Sequence, residues 1–320
     1  MKKLSILFFS LFFISIISQE NIKYQKPSKE ILDLVEFERP PSILYDENKN
    51  FMLFLFRDNY KSIAELSAKE LRLGGLRIDP KTNIGSRVTY YNNVKIRNLK
   101  NQKSEITQVK GLPKNPKLSN ISWSPDQKRI ALTNTTETGV ELWVLELENG
   151  SVTKLTESNL NSNIGSVINW FSDSENMLVK MISNNRRPLI DTNKIVPDGP
   201  TISTNFGEKA QNRTYQDLLK NKFDEHNFEQ LSTSTIYKVS IDGSVKKWMD
   251  DGMYRTISFS PNGEYVMISQ INKPFSYLVT YSRFPTETNI YNKAGDFVSN
   301  LQKVPLIEEL PKGFMSVRTG

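Results

Sequence analysis

The chain of 320 residues contains no cysteine and a single histidine, His226. Without cysteine there is no disulfide framework, no thiol nucleophile, no lipid-modified cysteine and no thiolate metal site. One histidine cannot build a multi-histidine metal centre, and it leaves one candidate base for a Ser-His-Asp arrangement. Charge of one sign is also scarce. The 42 Lys+Arg and 35 Asp+Glu residues give a formal net charge of +7. That excess is spread along the chain, and Arg186-Arg187 is the sole arginine pair. No basic helix and no aromatic-interleaved basic stripe occurs, so nucleic acid is not an expected partner. Hydrophobic residues make up 38%, which suits a sheet-rich fold with one wet face better than a doubly buried parallel sheet. No cofactor or metal is expected.

One hydrophobic run stands out. After Met1-Lys2-Lys3, residues 4–17 are 14 residues that are apolar except for three serines, followed by Ser18-Gln19-Glu20. A positive start, an apolar middle and a small-residue exit describe a secretory signal peptide. The run is shorter than the ~20 residues a membrane helix needs. Residues 1–18 are therefore expected to be a cleaved signal, leaving no stable membrane span and sending the chain to the periplasm or outside the cell. Cleavage takes Lys2 and Lys3 and lowers the net charge from +7 to +5.

Four segments align without gaps: ILYDENKNFMLF (43–54), ISWSPDQKRIAL (121–132), INWFSDSENMLV (168–179) and ISFSPNGEYVMI (257–268). The third position is aromatic each time (Tyr45, Trp123, Trp170, Phe259), and the sixth is Asn or Asp (Asn48, Asp126, Asp173, Asn262). Apolar residues two apart on either side of a polar turn describe a β-hairpin with a buried face. A second hairpin follows each copy, turning at residues 98–103, Asn149-Gly150, Asp242-Gly243 and Ala294-Gly295. Asn-Gly and Asp-Gly between alternating runs are strong hairpin signals. Two hairpins per unit make four antiparallel strands, one propeller blade. The expected fold is all-β: a partial β-propeller of about four four-stranded blades over residues 43–320, after an N-terminal extension at 19–42. The copies start 78, 47 and 89 residues apart. The shortest spacing is close to a bare blade of ~40–45 residues, so two insertions are expected, at about 57–86 and 184–232, both partly helical. Residues 63–73 have apolar residues at helical spacing, with Gly74-Gly75 placed as a helix end. Residues 76–87 read as a loop. Residues 213–231 read as a second helix, with Thr214 and Asp217 at its start.

The insertions carry a resemblance. LGGLRIDPKTNIGSR (73–87), VPDGPTIS (196–203), RTYQDLLKNKFDE (213–225) and KPFSYLVTYSRFP (273–285) resemble the prolyl oligopeptidase family, in its glutamyl endopeptidase branch. The resemblance is collinear from about Pro27 onward. It implies an N-terminal propeller over a C-terminal α/β-hydrolase domain with Ser, Asp and His, cutting peptides after acidic residues. It also implies that the propeller acts as lid and size filter. The sequence departs from this pattern in one respect. No G-x-S-x-G nucleophile elbow occurs; Gly85-Ser86-Arg87 and Gly165-Ser166-Val167 lack its flanks. The expectation is an N-terminal part of such an enzyme, inactive alone, whose partners are peptide substrate and its own hydrolase domain. The rival expectation is a complete exported propeller that binds a partner without catalysis.

Candidate site residues are few. Arg77, Arg87 and Arg213 lie in the family-like segments, and an arginine can hold a substrate carboxylate through two hydrogen bonds. The opposing expectation is that they pair with Asp79, Asp217 or Asp224. His226, the acidic group Asp224-Glu225-Glu229 and Asp250-Asp251-Gly252 are expected to be ordinary solvated or locally bonded groups. The sequons at Asn120, Asn134, Asn149 and Asn212 mark potential glycan acceptors, with Asn120 the poorest because a core strand follows it.

Overall fold

A computed structural model describes residues 26–101, 103–191, 194 and 215–308. The expected signal at 1–18, the VPDGPTIS segment, Asn212, Arg213 and Thr214 lie outside the described residues. The chain divides into two units, residues 1–39 and 40–320. In the first, a short helix α1 (Lys29–Val35) carries Glu30 in its first turn, where an acid suits the helix dipole.

The second unit is a row of antiparallel blades. Blade one has β1 (Ser42–Tyr45) and β2 (Phe51–Phe56). An insertion then carries α2 (Ile63–Leu66), β3 (Leu71–Leu73), β4 (Leu76–Asp79) and β5 (Ile84–Gly85). The blade is completed by β6 (Asn93–Asn98) and β7 (Thr107–Gln108), in the order β1-β2-β6-β7. Blade two has β8 (Leu118–Trp123), β9 (Arg129–Thr135), β10 (Val140–Glu146) and β11 (Ser151–Lys154) in sequence order. Blade three has β12 (Ile168–Trp170) and β13 (Asn176–Ile182). After the second insertion, which holds α3 (Lys222–Ser232), come β14 (Ser234–Ser240) and the first half of β15 (Val245–Phe259). The second half of β15 opens blade four, with β16 (Tyr265–Ile271), β17 (Thr286–Asn292) and β18 (Phe297–Val304). Over the described residues the fold is a partial β-propeller of four blades with two insertions, as the repeat indicates.

The repeat sets the register. The third-position aromatic pairs with the tenth-position residue in every inner hairpin: Tyr45 with Met52, Trp123 with Ile130, Trp170 with Met177 and Phe259 with Val266. The seventh position is left-handed each time, at Lys49, Gln127, Ser174 and Gly263 (φ 54°, 60°, 59° and 72°). Side chains beside it hold the turn. Asp46, Ser124 and Ser260 accept from the N–H five residues on, at 2.6, 2.9 and 3.0 Å. In blade three Phe171 occupies that position, and Asp173 accepts the Asn176 N–H instead. Such short polar side chains stabilise tight turns by replacing lost backbone bonds.

The aromatics also join the blades. Trp170 packs with blade-two residues Val140 and Leu142 and donates its indole N–H to the Ser122 carbonyl at 3.2 Å. Phe259 lies 4.8 Å from Phe171 of blade three. Trp123 packs with the cluster of Phe51, Leu53 and Val94 of blade one. Each plugs into the preceding blade. Tyr45, the equivalent residue of blade one, is 51% exposed beside exposed Ile43.

Three expectations for the insertions need correction. The helix over 63–73 ends at Leu66; residues 71–79 form a hairpin instead, pairing Leu71 with Ile78 and Leu73 with Leu76. Gly74 and Gly75 have φ of 59° and 89°, the two positive angles of a two-residue hairpin turn rather than a helix end. Residues 76–87 are likewise not a loop, since Asp79 pairs with Ile84. The second helix starts at Lys222, later than expected. Asn221 caps it, accepting from the Asp224 N–H at 2.9 Å. Asp217 stands outside the helix in a left-handed conformation.

Candidate functional site

The two insertions share one apolar core. Phe228 of α3, fully buried, meets Phe275 and Phe284 edge-on at 5.1 and 5.5 Å. Leu73 and Ile78 of the first insertion complete this cluster with Leu219 and Leu231. The Gly74-Gly75 turn rests on it: a Cβ on Gly74 would stand 3.4 Å from the Phe228 ring. The Gly75 N–H donates to the Asp217 carbonyl at 2.8 Å.

This packing brings charges from distant parts of the chain together. Arg77 donates through Nε to the Asp217 carboxylate at 2.6 Å, across 140 residues of sequence. Arg72 also reaches Asp217, at 3.8 Å, and pairs with Glu70 at 2.9 Å. Arg87 lies 3.7 Å from Glu70 and is 68% exposed. The Ser86 hydroxyl, and then Arg72 and Arg87, hold the Glu70 carboxyl below its ordinary value. Arg77 and Arg87 thus sit on two carboxylates bridged by Arg72. Arg213 lies outside the described residues. Sequence reasoning missed Glu70 and Arg72, which no spacing singles out.

Arg87 opens onto a cleft of about 1380 Å³ between the first insertion and blade two. Among the described residues its lining has seven Lys or Arg and five Asp or Glu. Glu65, Glu70 and Glu141 in it are already bonded, to Lys117, Arg72 and Lys154 respectively. The side-chain ammonium groups of Lys81 and Lys114 are in no ion pair among the described residues, although the Lys81 backbone N–H donates to Asp79. Leu66, one of its lining residues, is 72% exposed. Such a cleft can hold an extended chain bearing negative charge.

The other candidates are locally bonded. His226 contacts the Pro188 carbonyl through Nε2 at 3.0 Å. Asp224 accepts the Lys220 N–H, Glu225 pairs with Lys222, and Glu229 pairs with Lys273. Asp251 accepts from Ser183 and Asn185 at 2.6 and 2.8 Å, and these bonds keep its carboxyl ionised below the usual range despite burial. Asn134 is buried with its amide on Glu141. No group of three or more potential metal ligands occurs among the described residues.

No family model matches the chain. It is 30% identical over 316 residues to a probable glutamyl endopeptidase, chloroplastic, of Oryza sativa subsp. japonica, covering 95% of this chain and 33% of that protein. A protein of the same description from Arabidopsis thaliana is 31% identical over 313 residues, covering 93% and 32%. Among solved structures, a Pyrococcus horikoshii acylaminoacyl peptidase is similar with TM-score 0.41 and 16% identity, covering 85% of this chain and 33% of that one. The chain spans about a third of the length of the curated relatives it matches. Over that span it is similar to proteins described as probable glutamyl endopeptidases.

Proposed function

We propose that the chain is the propeller portion of an exported serine endopeptidase of the glutamyl endopeptidase type, acting as a gate that admits short or unfolded peptides. The observation that carries this reading is the 30% identity maintained over 95% of the chain. The acyl-transfer machinery, a Ser nucleophile with a His base and backbone N–H groups for the oxyanion, is proposed to reside in a hydrolase domain joined to this one. Export rests on the layout of residues 1–20. Among the described residues no helix is long and apolar enough to cross a membrane.

Within this reading Arg77, Arg87 and Arg213 are the candidates to bind the acidic residue of the substrate. Arg87 is the most available of the described pair because its guanidinium is largely exposed, whereas Arg77 is held by Asp217. In the full-length product, Arg87→Ala is expected to lower kcat/KM for substrates cut after Glu by about 10- to 100-fold. That is the worth of a charged hydrogen bond, about 1.5–3 kcal/mol. Cleavage after neutral residues should stay within twofold. An equal fall for both substrate types would remove Arg87 from substrate recognition.

The gate also needs neighbours. Tyr45 and Ile43 on blade one, and Tyr265 and Met267 on blade four, are exposed where blades two and three are covered. Bare blade faces associate. Sedimentation of the purified chain is expected to show concentration-dependent self-association that Tyr45→Glu weakens. A monomer at every concentration would count against a gate built from more than these blades.

A further inference from the structure

Lys180 lies in the middle of β13 and is 2% exposed. Its Nζ donates to two backbone carbonyls, Ile164 in the loop before β12 and Tyr254 in the blade-four half of β15. The same loop grips the Lys180 backbone from both sides: Lys180 N–H donates to the Val167 carbonyl, and its own carbonyl accepts from the Asn161 N–H. At Gly165 the loop crosses β15 so closely that a Cβ would stand 2.1 Å from the Arg255 carbonyl.

We propose that Lys180 is a pH-dependent pin across the seam between blades three and four, closing the seam as a neutral amine and loosening it when protonated. Two acceptors face the nitrogen. A neutral amine has two N–H groups and matches them. An ammonium has three, so one donor is left unmade in a dry site, which is costly. Among the described residues no opposite charge compensates. Residues 161–167 have no titratable side chain. On β14, Lys238 lies over the Phe171 ring. On β15, Arg255 donates to the Ser282 carbonyl, Asp251 is engaged by Ser183 and Asn185, and Tyr254 donates its hydroxyl to the Asp250 carbonyl. Burial alone pushes the amine down to about 7.

The sign follows from linkage. The unfolded amine binds its proton up to its ordinary value, near 10.5, while the folded one releases it near 7. Across this window the unfolded state holds more protons, so stability rises with pH and falls as pH drops from 10.5 to 7. Tyr254, held above its ordinary value by burial, keeps its proton throughout.

The test compares the intact chain with Lys180→Met. Their unfolding equilibria are measured from pH 6 to 10, and hydrogen exchange is measured at pH 6 and 9 with correction for intrinsic rates. The folding constant of the wild type is expected to rise by up to about tenfold per pH unit above pH 7 relative to the variant. At pH 6, residues 161–167 and 252–256 should lose protection that β9 and β10 keep. Parallel pH profiles, or protection that changes evenly, would overturn the proposal. If Lys180→Met does not fold, wild-type exchange decides alone: seam-specific loss supports the pin and an even pattern refutes it.

Discussion

Phe228→Ala is expected to lower the stability of the chain by about 3–5 kcal/mol, the usual cost of emptying a buried phenylalanine site. The ring is fully buried, packs edge-on against Phe275 and Phe284, and supports the Gly74-Gly75 turn. Its removal opens a cavity where both insertions meet. Urea unfolding at low protein concentration measures the loss. Leu66→Ala is the control: at 72% exposure it should change stability by less than about 0.5 kcal/mol. Equal effects at the two positions would mean that the insertions do not share a core.

Gly165→Ala is expected to be nearly as damaging although it adds one carbon. Its φ of +58° disfavours any side chain, and the new Cβ would meet the Arg255 carbonyl at 2.1 Å. Left-handed strain costs about 1–2 kcal/mol, and overpacking typically adds about 1–3. The clash is with backbone, so no side chain can swing away. Gly243→Ala separates the two contributions: its φ is +88° but nothing lies within 4 Å, so strain alone should remain. Thermal melts that rank Gly243→Ala as the more harmful would contradict the tight crossing of loop and β15.

The hairpins were legible because two signals coincide at each: alternation of apolar residues and a turn residue at a fixed offset. Gly150, Gly243 and Gly295 all take the positive φ that this reading requires. The same logic would have found β3 and β4, where Leu71, Leu73, Leu76 and Ile78 alternate about Gly74-Gly75. The nearby Ile63 and Leu66 imposed a helical period on that segment instead. The site was less legible. Arg77 and Asp217 are 140 residues apart, and only packing of one insertion on the other joins them. Lys180 was hidden for a different reason. In NMLVKMI it falls on the face opposite Met177, Val179 and Met181, which alternation assigns to solvent. Leu178 on that same face is fully buried, because an inner blade strand is covered on both sides.

This propeller is proposed to serve a peptidase. Sequencing the transcript beyond codon 320 tests that most directly. The reading frame should continue into a segment containing G-x-S-x-G, followed by an Asp and then a His. A stop codon at position 321 in the native transcript would contradict it and leave an exported binding propeller in its place.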